Sequence, residues 1–464
     1  MSKGKVIFVE PLGAPSNVFA KFMNIPLLGP LYLATMAKKD GYNTAVINEN
    51  ILHRKINDSE LKDCDILCLS CITATINRGK EIARQYRQLR TKAGLKSRIL
   101  IGGIHVSMLP KESCPDFDQV ICGEGESVFL DILNGKITTP TIKGSALENL
   151  DSLPSPDFSL LQKSSVINIQ PVMTSRGCPH HCNFCSVTQM FGRGYRYQSV
   201  ERVLDEIATV KKKWIFFVDD NFAVVKDRTY KLLDEMIRLR FSKNWTAQVR
   251  VDAARDELMV KKMRKAGCKI VFIGFESINP TSLNEMHKRQ NIEDIKRAIR
   301  TFQSAGIQVH GMFMLGNDPD TNEIFKATSQ FSRQNNLNYV QYSILTPLPG
   351  TEVYHNFEHQ GRLLHKNWTM YDGLHVVFQP KNMSPVELQN GMINCFRSFY
   401  SYSNAFKDTT LTFFKGLKET SERFNHTSLQ SYYPAFMKFV GRSLIQNWLR
   451  NNQAYLAYLQ NLCH

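Results

Sequence analysis

Short apolar strands alternate with helical stretches twice along this chain, and a proline-containing linker separates the two series. In the first series, apolar strands are predicted at 5–10, 43–48, 65–72, 98–103 and 118–122, with helical stretches between them. Strands that alternate with helices in this way predict a parallel, doubly wound sheet. The polar stretch 145–160 contains Pro154 and Pro156, which favour extended backbone, so the first unit is expected to end there.

The second series runs from about residue 167 to 345 and gives about six strand–helix units, which suits a partial TIM-like barrel. Beyond about 360 the pattern turns helical and aromatic. We therefore predict an α/β fold with an N-terminal Rossmann-like domain, a partial (β/α)6 barrel and a helical C-terminal domain. The predicted boundaries are 1–144 for the first domain, 145–165 for the linker, 166–360 for the barrel and 361–464 for the C-terminal domain.

Length and composition agree with this division. A chain of 464 residues is too long for one ordinary core and favours two or three domains. The first residues lack the apolar region of a signal peptide, and no run of 18 apolar residues occurs, so we expect a cytoplasmic protein. The net charge of +16 favours nucleic acid, an anionic membrane surface or acidic cofactors, without selecting one of them.

Eleven cysteines in an intracellular chain indicate metal or redox chemistry rather than disulfides. Two segments share the spacing Cys-x3-Cys-x2-Cys. The first is Cys64, Cys68 and Cys71, and it lies in an apolar strand. At roughly 3.3 Å per residue the end thiols would stand about 23 Å apart, so these cysteines are expected to be small buried core residues.

The second segment, TSRGCPHHCNFCSV, follows a strand directly. Gly177 and Pro179 favour an irregular loop in which the thiolates of Cys178, Cys182 and Cys185 point inward. A zinc site is the alternative, because two histidines in the loop offer nitrogen ligands. Three thiolates alone would leave one iron of a 4Fe–4S cubane open.

The loop CPHHCNFC resembles the signature of the radical S-adenosylmethionine (SAM) superfamily, including an aromatic residue, Phe184, before the last cysteine. The resemblance spans roughly 150–350. It implies that Cys178, Cys182 and Cys185 hold a 4Fe–4S cluster whose open iron chelates SAM. One electron from the cluster would then cleave SAM to a 5′-deoxyadenosyl radical.

The same resemblance assigns residues to SAM. The strand end FFVDDNF places Asp219, Asp220 and Asn221 where the family binds the SAM ammonium group, although the usual Gly-Gly-Glu is absent. Glu276 in IGFES is a candidate partner of the ribose or ammonium group, and Gly274 leaves room for backbone approach. Arg250 is a candidate partner of the SAM carboxylate. For each of these the alternative is an ordinary surface or ion-pair residue.

The first domain resembles cobalamin-binding modules, which combine an Asp-x-His-x-x-Gly loop, a Ser-x-Leu strand end and a Gly-Gly turn. The chain has Ser70 at the strand end and Gly102-Gly103 at the turn, but the loop reads Asn-Ile-Pro-Leu-Leu-Gly at 24–29. Pro26 therefore replaces the axial histidine, and the resemblance implies cobalamin without a histidine ligand. His105 is a candidate pocket residue, and the carboxylates of GEGE at 123–126 are expected only to cap the helix that follows.

The C-terminal stretch 433–462 shows amphipathic helical spacing through Val440, Leu444 and Trp448. Packing over the barrel mouth and lying on a membrane surface are both open, the second implying peripheral contact at the cytoplasmic face. The family resemblance also implies an external one-electron reductant of the flavodoxin or ferredoxin type.

The resemblance as a whole implies a cobalamin-dependent radical SAM methyltransferase that acts on an unactivated carbon of a bulky or hydrophobic, lipid-like small molecule. A cyclase or rearrangement enzyme with the same cofactors is the first alternative. A tRNA methylthiotransferase is a second, disfavoured because the tail is helical, so nucleic acid is not an expected partner. A non-catalytic iron–sulfur or zinc protein that senses cobalamin is the third. No residue is assigned to the chemical step itself.

Overall fold

A computed structural model of the chain describes residues 3–13, 25–162, 169–401 and 433–462. Within these residues the strands form two six-stranded sheets and one two-stranded sheet. Asn24, which begins the loop discussed above, lies outside the described residues, as do 163–168 at the end of the predicted linker.

The first sheet is parallel throughout, and its strand order is 2-1-3-4-5-6. Its strands are β1 (Lys5–Glu10), β2 (Asn43–Asn48), β3 (Ile66–Ser70), β4 (Ile99–Gly102), β5 (Gln119–Cys122) and β6 (Thr141–Lys143). Most residues of β1 and β3 are buried, as expected for a sheet covered on both faces. The strand order reverses beside β1, and ligands of such sheets bind at the carboxyl ends of the strands near that point.

The described residues of this unit, 3–13 and 25–162, supply seven α-helices: α1 (Leu28–Lys39), α2 (Glu49–Leu52), α3 (Asp58–Lys62), α4 (Ile76–Lys92), α5 (Ile104–Met108), α6 (Pro110–Ser113) and α7 (Phe129–Leu133). The linker then runs back along the sheet. Leu161 bridges to Val46 in β2, and the backbone N–H of Asp157 donates to Thr35 Oγ1 at 2.9 Å. The linker is therefore packed against the first unit.

The second series supplies eight strands: β7 (Ile169–Val172), β8 (Ser175–Arg176), β9 (Arg196–Tyr197), β10 (Trp214–Phe217), β11 (Asn244–Val249), β12 (Cys268–Glu276), β13 (Gln308–Leu315) and β14 (Tyr339–Ile344). Six of them form a parallel sheet in the order 7-10-11-12-13-14, while β8 and β9 form a separate antiparallel pair. Six parallel strands in sequential order match the predicted partial barrel, so the predicted fold class is confirmed.

The helices of the second series are α8 (Val187–Phe191), α9 (Val200–Thr209), α10 (Lys226–Arg238), α11 (Glu257–Lys265), α12 (Pro280–Glu285), α13 (Ile292–Ser304), α14 (Glu323–Gln334) and α15 (Glu352–His359). Burial alternates along β12 and β13, because one face of each strand packs against helices and the other faces the barrel interior. In barrels of this kind the loops that follow the carboxyl ends of the strands build the site.

In the described part of the C-terminal region three further helices follow: α16 (Pro385–Phe399), α17 (Tyr433–Asn451) and α18 (Gln453–Asn461). Trp448 of α17 and Leu459 of α18 are buried in the same hydrophobic cluster as the barrel strands. Of the two alternatives for this stretch, packing against the barrel and lying on a membrane surface, the structure shows the first. Contact with a membrane surface, the cytoplasmic location and the four domain boundaries stay predictions.

The search for membrane spans adds one finding. No helix among the described residues combines the length and hydropathy that crossing a bilayer requires.

Candidate active site

The cysteine loop connects β8 to α8, at the carboxyl edge of the barrel. Gly177 precedes it with φ +88°, and a side chain there would overlap the backbone oxygen of Gly194. The backbone N–H of Cys185 donates to the oxygen of Cys182 at 3.1 Å, which closes a turn between two predicted ligands. Asn183 in the same turn donates its side-chain amide to the backbone oxygen of Glu285 at 2.8 Å. The cysteine loop is thus hydrogen-bonded to the end of α12.

The three thiols influence one another. Burial raises the pKa of Cys185 to about 11, and the neighbouring Cys182 and Cys178 add to that rise. Burial also raises the pKa of Cys178, against the lowering effect of the Arg250 guanidinium. Iron binds the thiolate form, so its binding must displace the thiol protons that burial favours. Among the described residues, no three His, Cys, Asp or Glu side chains are gathered as ligands of a single metal ion.

The other cysteine segment lies in the core, as predicted. Cys64, Cys68 and Cys71 are all buried, and burial raises the pKa of each. The Cys71 sulfur lies so close to Gly79 of α4 that a Cβ there would approach it to 2.6 Å. Cys64 and Cys71 pack in the same cluster as α4, whereas Cys68 packs with α1 on the other face of the sheet and lines the cavity described below.

The two aspartates after β10 have different surroundings. Asp219 is fully buried, and its carboxylate accepts hydrogen bonds from Thr174 N–H at 2.6 Å and Ser175 N–H at 3.0 Å. It therefore orders the segment that leads into the cysteine loop. Asp220 accepts from Gly177 N–H at 3.2 Å and lines the cavity described below, and burial raises its pKa to about 6. Asn221 is buried beside them, and direct contact of these residues with SAM stays a prediction.

The other predicted SAM residues meet at a lysine that sequence reasoning missed. Lys288 is buried; its Nζ lies 2.6 Å from Glu276 Oε1 and 6.0 Å from the centre of the Phe184 ring. Its backbone oxygen accepts from Arg250 Nη2 at 2.7 Å, while Arg250 Nε has no hydrogen-bond partner. A Cβ at Gly274 would overlap the Glu276 carboxylate. These residues form one buried charged group beside the cysteine loop, which we call the Lys288 cluster.

Two features mark the Lys288 cluster as a constrained site. Glu276 has φ +61°, and the pairing between β12 and β13 shifts register between Gly274 and Glu276. A non-glycine residue in the left-handed region at a strand end is uncommon and often marks a functional position. The basic run HKR at 287–289 was the signal in the sequence that could have revealed Lys288.

A cavity of about 280 Å³ lies between the carboxyl edge of the first sheet and the cysteine loop. The first domain contributes Gly29, Ser70, Gly102 and Gly103 to its walls, which are four positions of the cobalamin-module resemblance. The barrel side contributes further lining residues: Met173, Ser175, Arg176, Met190, Phe191, Val218 and Asp220. Mostly apolar walls with a glycine-rich edge suit contact with the edge of a flat macrocycle that approaches the backbone closely.

The glycines of this edge serve different purposes. A side chain at Gly103 (φ +105°) would overlap the backbone oxygen of Cys71, so the turn itself requires glycine. A side chain at Gly29 would meet nothing within 4 Å. Open space beside Gly29 is what a bound ligand would need.

The segment that replaces the histidine loop is tied to β1. Pro26 is absent from the cavity lining, whereas Leu28 and Gly29 belong to it. The N–H of Leu27 donates to Glu10 Oε2 at 3.1 Å, and burial raises the pKa of Glu10 to about 8. Glu10 ends β1 beside the point where the strand order reverses, and sequence reasoning did not single it out.

His105 does not lie in the cavity wall. The ring is buried, packs edge-on to Trp368 at 5.2 Å between centroids, and neither ring nitrogen has a hydrogen-bond partner. Burial lowers its pKa to about 4. Its position therefore gives no support to the predicted pocket role, because α5 turns the side chain toward the core beneath Trp368.

Comparison with known proteins agrees with both halves of this site. The family model described as "B12 binding domain" matches residues 23–133, and the one described as "Radical SAM superfamily" matches residues 172–331. The structure of the cobalamin-dependent SAM radical enzyme OxsB with aqua-cobalamin bound superposes with a TM-score of 0.67 at 14% identity, covering 97% of this chain and 76% of that one. At that identity the likeness concerns the fold.

Two curated relatives extend the match. The bacteriochlorophyllide d C-12(1)-methyltransferase of Chlorobaculum tepidum is 30% identical, over 88% of this chain and 89% of its own. The anaerobic magnesium-protoporphyrin IX monomethyl ester cyclase of Cereibacter sphaeroides is 26% identical, over 80% of this chain and 66% of its own. With a relative this similar over nearly its whole length, the chain belongs to the radical SAM enzymes that carry a B12-binding domain ahead of the radical SAM domain.

Proposed function

We propose that this enzyme is a cobalamin-dependent radical SAM methyltransferase that methylates an unactivated carbon of a bulky, hydrophobic small molecule. The observation that carries the proposal is the shared cavity. Its walls come from the cobalamin-type edge at Ser70 and Gly102 and from the cysteine-loop side at Met190 and Asp220. A methyl carrier, SAM and a substrate carbon must meet in one enclosed space for transfer, and this cavity lies where the two domains meet.

The substrate class is supported by relatives and by the walls. The Chlorobaculum relative is named for a bacteriochlorophyllide, and another relative, from Rhodopseudomonas palustris, is named a hopanoid C-2 methylase. Both names describe large, mainly apolar molecules. The cavity walls of this chain are rich in Leu, Ile, Phe and Met side chains, which favour such molecules.

The chain's own residues have distinct roles in this proposal. Cys178, Cys182 and Cys185 hold the cluster, and Arg250 binds the SAM carboxylate. Arg250 Nε makes no hydrogen bond and lies 3.8 Å from Asp252 Oδ1. Glu276, held by Lys288, binds a hydroxyl or ammonium group of SAM. When bound, the cluster supplies the electron that cleaves SAM and the cobalamin carries the methyl group. Gly29, Ser70 and the Gly102–Gly103 turn admit the corrin edge.

The test is anaerobic reconstitution with iron, sulfide and cobalamin, followed by metal analysis and product analysis with SAM and dithionite. We expect 5′-deoxyadenosine, and with a chlorophyllide- or hopanoid-type substrate we expect a methylated product together with S-adenosylhomocysteine. A Cys182→Ala variant should lose iron and retain cobalamin, while the matched Cys395→Ala variant, at a buried cysteine outside the loop, should retain both. Wild-type protein that binds zinc and leaves SAM intact would contradict the proposal.

An oxidative cyclase with the same cofactors is the second candidate, favoured by the similarity to the Cereibacter cyclase. The two candidates differ in mass balance. A methyltransferase adds 14 mass units to its product and releases S-adenosylhomocysteine. A cyclase adds no methyl group, so a product that forms without S-adenosylhomocysteine would favour the cyclase.

The proposed reductant, a flavodoxin or ferredoxin, has a candidate docking surface. On the exposed side of the cysteine loop, Arg193 lies 3.3 Å from the His181 ring, which stacks on His287 at 6.2 Å. Arg289 lines the same surface pocket as His181 and His287. His181 is adjacent to Cys182 in the chain, so a donor bound here would be close to the cluster.

Reversing a charge on this surface should slow reduction of the cluster by flavodoxin but not by dithionite. An Arg289→Glu variant should cleave SAM about tenfold more slowly with an acidic flavodoxin, and as fast as wild type with dithionite. Lys39→Glu, at an exposed position on α1, is the matched control and should change neither rate. Equal flavodoxin-driven rates in wild type and Arg289→Glu would rule out this surface.

A further inference from the structure

Two arginines on the β8–β9 pair hold the first domain against the cysteine loop. Arg176 ends β8 two residues before Cys178, and it pairs across the ladder with Arg196 of β9. Both guanidinium groups reach the loop at 123–126, which follows β5 of the first sheet. We call this group of Arg176, Arg196, Glu124 and Glu126 the interdomain clamp.

The contacts of the interdomain clamp are direct. Arg176 Nη1 donates to Glu124 Oε2 at 2.7 Å, and Arg176 Nη2 donates to Glu126 Oε1 at 2.5 Å. Arg196 donates to both oxygens of Glu124, including Nη1 to Oε2 at 3.1 Å. The two carboxylates therefore bind arginines, in place of the helix-capping role expected from the sequence.

Burial sets these ion pairs apart. The side chains of Arg176 and Glu124 are only 7% and 3% exposed, and Arg176, Glu124 and Glu126 all line the shared cavity. A buried ion pair often contributes little net stability compared with apolar residues of the same volume. A guanidinium that grips two carboxylates does fix distance and orientation, since its donors form a rigid planar fork. The main effect of such a group is therefore to fix the relative position of the two segments that it joins.

An ion pair between the first domain and the linker, by contrast, is exposed to solvent. Lys38 lies 2.7 Å from Asp157, but their side chains are 51% and 30% exposed. An exposed pair of this kind is weak and mobile. The interdomain clamp is the buried charged link next to the cysteine loop.

We infer that Glu124 and Arg176 are positioning residues that set the distance and angle between bound cobalamin and the iron–sulfur cluster. Because Arg176 is two residues from Cys178, movement of the loop at 123–126 is transmitted directly to the cysteine loop. The inference rests on the proposed function insofar as both cofactors must be bound. It goes beyond that function by assigning these two residues a geometric role.

The experiment measures that geometry without a substrate. In holoenzyme loaded with cob(II)alamin and reduced with dithionite, the cobalt and cluster spins couple through space, and pulsed EPR reports their separation. We expect one narrow distance in wild type. In Glu124→Gln the distribution should broaden or shift, with iron and cobalamin contents unchanged. In Asp157→Asn, the matched control at the exposed pair, the distribution should stay as in wild type.

A second variant covers the case in which Glu124→Gln does not fold. Arg176→Lys keeps the positive charge but lacks the two-pronged donor, and it should give the same broadening. With substrate, misplacement of about 1 Å is expected to lower methylated product per 5′-deoxyadenosine by up to about 100-fold, while SAM cleavage continues. A wild-type distance distribution in a folded, fully loaded variant would overturn the inference. Failure of wild type to bind cobalamin would instead overturn the proposed function.

Discussion

A buried histidine links the loop after the barrel to the two C-terminal helices, and its charge can be tested. His375 is fully buried; its Nδ1 lies 2.9 Å from Asp372 Oδ1 and its Nε2 lies 2.7 Å from Asn452 Oδ1. Asn452 uses its amide nitrogen to donate to the backbone oxygen of Trp448 at 2.8 Å, so its oxygen faces the histidine. Both ring nitrogens therefore meet acceptors, and the ring must donate from both, as a cation.

The direction of the pH effect follows from the surroundings. Burial alone lowers the pKa of His375, but Asp372 and then the bond to Asn452 raise it above its ordinary value. The other groups facing the ring are Trp448, Tyr455 and, farther away, His365, whose own pKa is lowered by burial and by the His375 charge. A raised pKa in the folded state stabilises the fold fully below about pH 6.5, the unfolded value. This contribution is lost as the pH rises through the folded-state pKa.

The magnitude comes from two hydrogen bonds to a charged group, each worth about 1.5–3 kcal/mol. Glutamine can keep one of the two, so His375→Gln should cost about 1.5–3 kcal/mol of local stability. Because about 1.4 kcal/mol is a factor of ten, hydrogen exchange of the α18 amides should speed up about 10- to 100-fold at pH 6. Amides of α4, in the other domain, should exchange as in wild type.

The controls decide the interpretation. His359→Gln, at an exposed position on α15, should leave exchange in α18 unchanged. In wild type, protection of α18, corrected for the intrinsic pH dependence of exchange, should fall as the pH rises above about 6.5. Protection that is independent of pH, or equal in wild type and His375→Gln, would refute the assignment of a charged His375.

Three further predictions concern the site. Gly29→Ala should leave the apo fold intact or slightly more stable, because the alanine side chain in helix α1 meets nothing within 4 Å. The same variant should bind cobalamin more weakly in an absorbance titration. Gly103→Ala should lower the melting temperature even without cobalamin, because its side chain would overlap the backbone. His105→Phe should keep cobalamin affinity and raise the melting temperature, because an unpaired buried imidazole is removed; a weaker cobalamin complex would restore the pocket role. Glu276→Gln should weaken SAM binding to the cluster-loaded enzyme about tenfold by calorimetry, because a charged hydrogen bond becomes a neutral one. Unchanged SAM affinity would show that Glu276 does not contact SAM.

The sequence alone predicted most of the strands and singled out the cysteine loop at 178–185. Apolar runs separated by helical stretches, which are a local signal, predicted five strands of the first sheet and all six of the second, but not β6 (Thr141–Lys143). The distinction between the two cysteine segments was also local, because an apolar strand spreads its side chains apart, whereas a loop that contains glycine does not have to. Cys64, Cys68 and Cys71 are accordingly in the core.

Only the tertiary structure decided which polar side chains meet. Lys288 joins Glu276 across 12 positions of sequence, and Glu124 joins Arg176 across 52, so no local pattern records either pair. His105 shows the converse: its place after the Gly-Gly turn suggested the cavity, but α5 directs the ring under Trp368, a residue far along the chain. Local patterns fix backbone conformation because the responsible interactions lie within a few residues. The partners of a buried charge depend on how separate elements pack, and that packing is set by the whole chain.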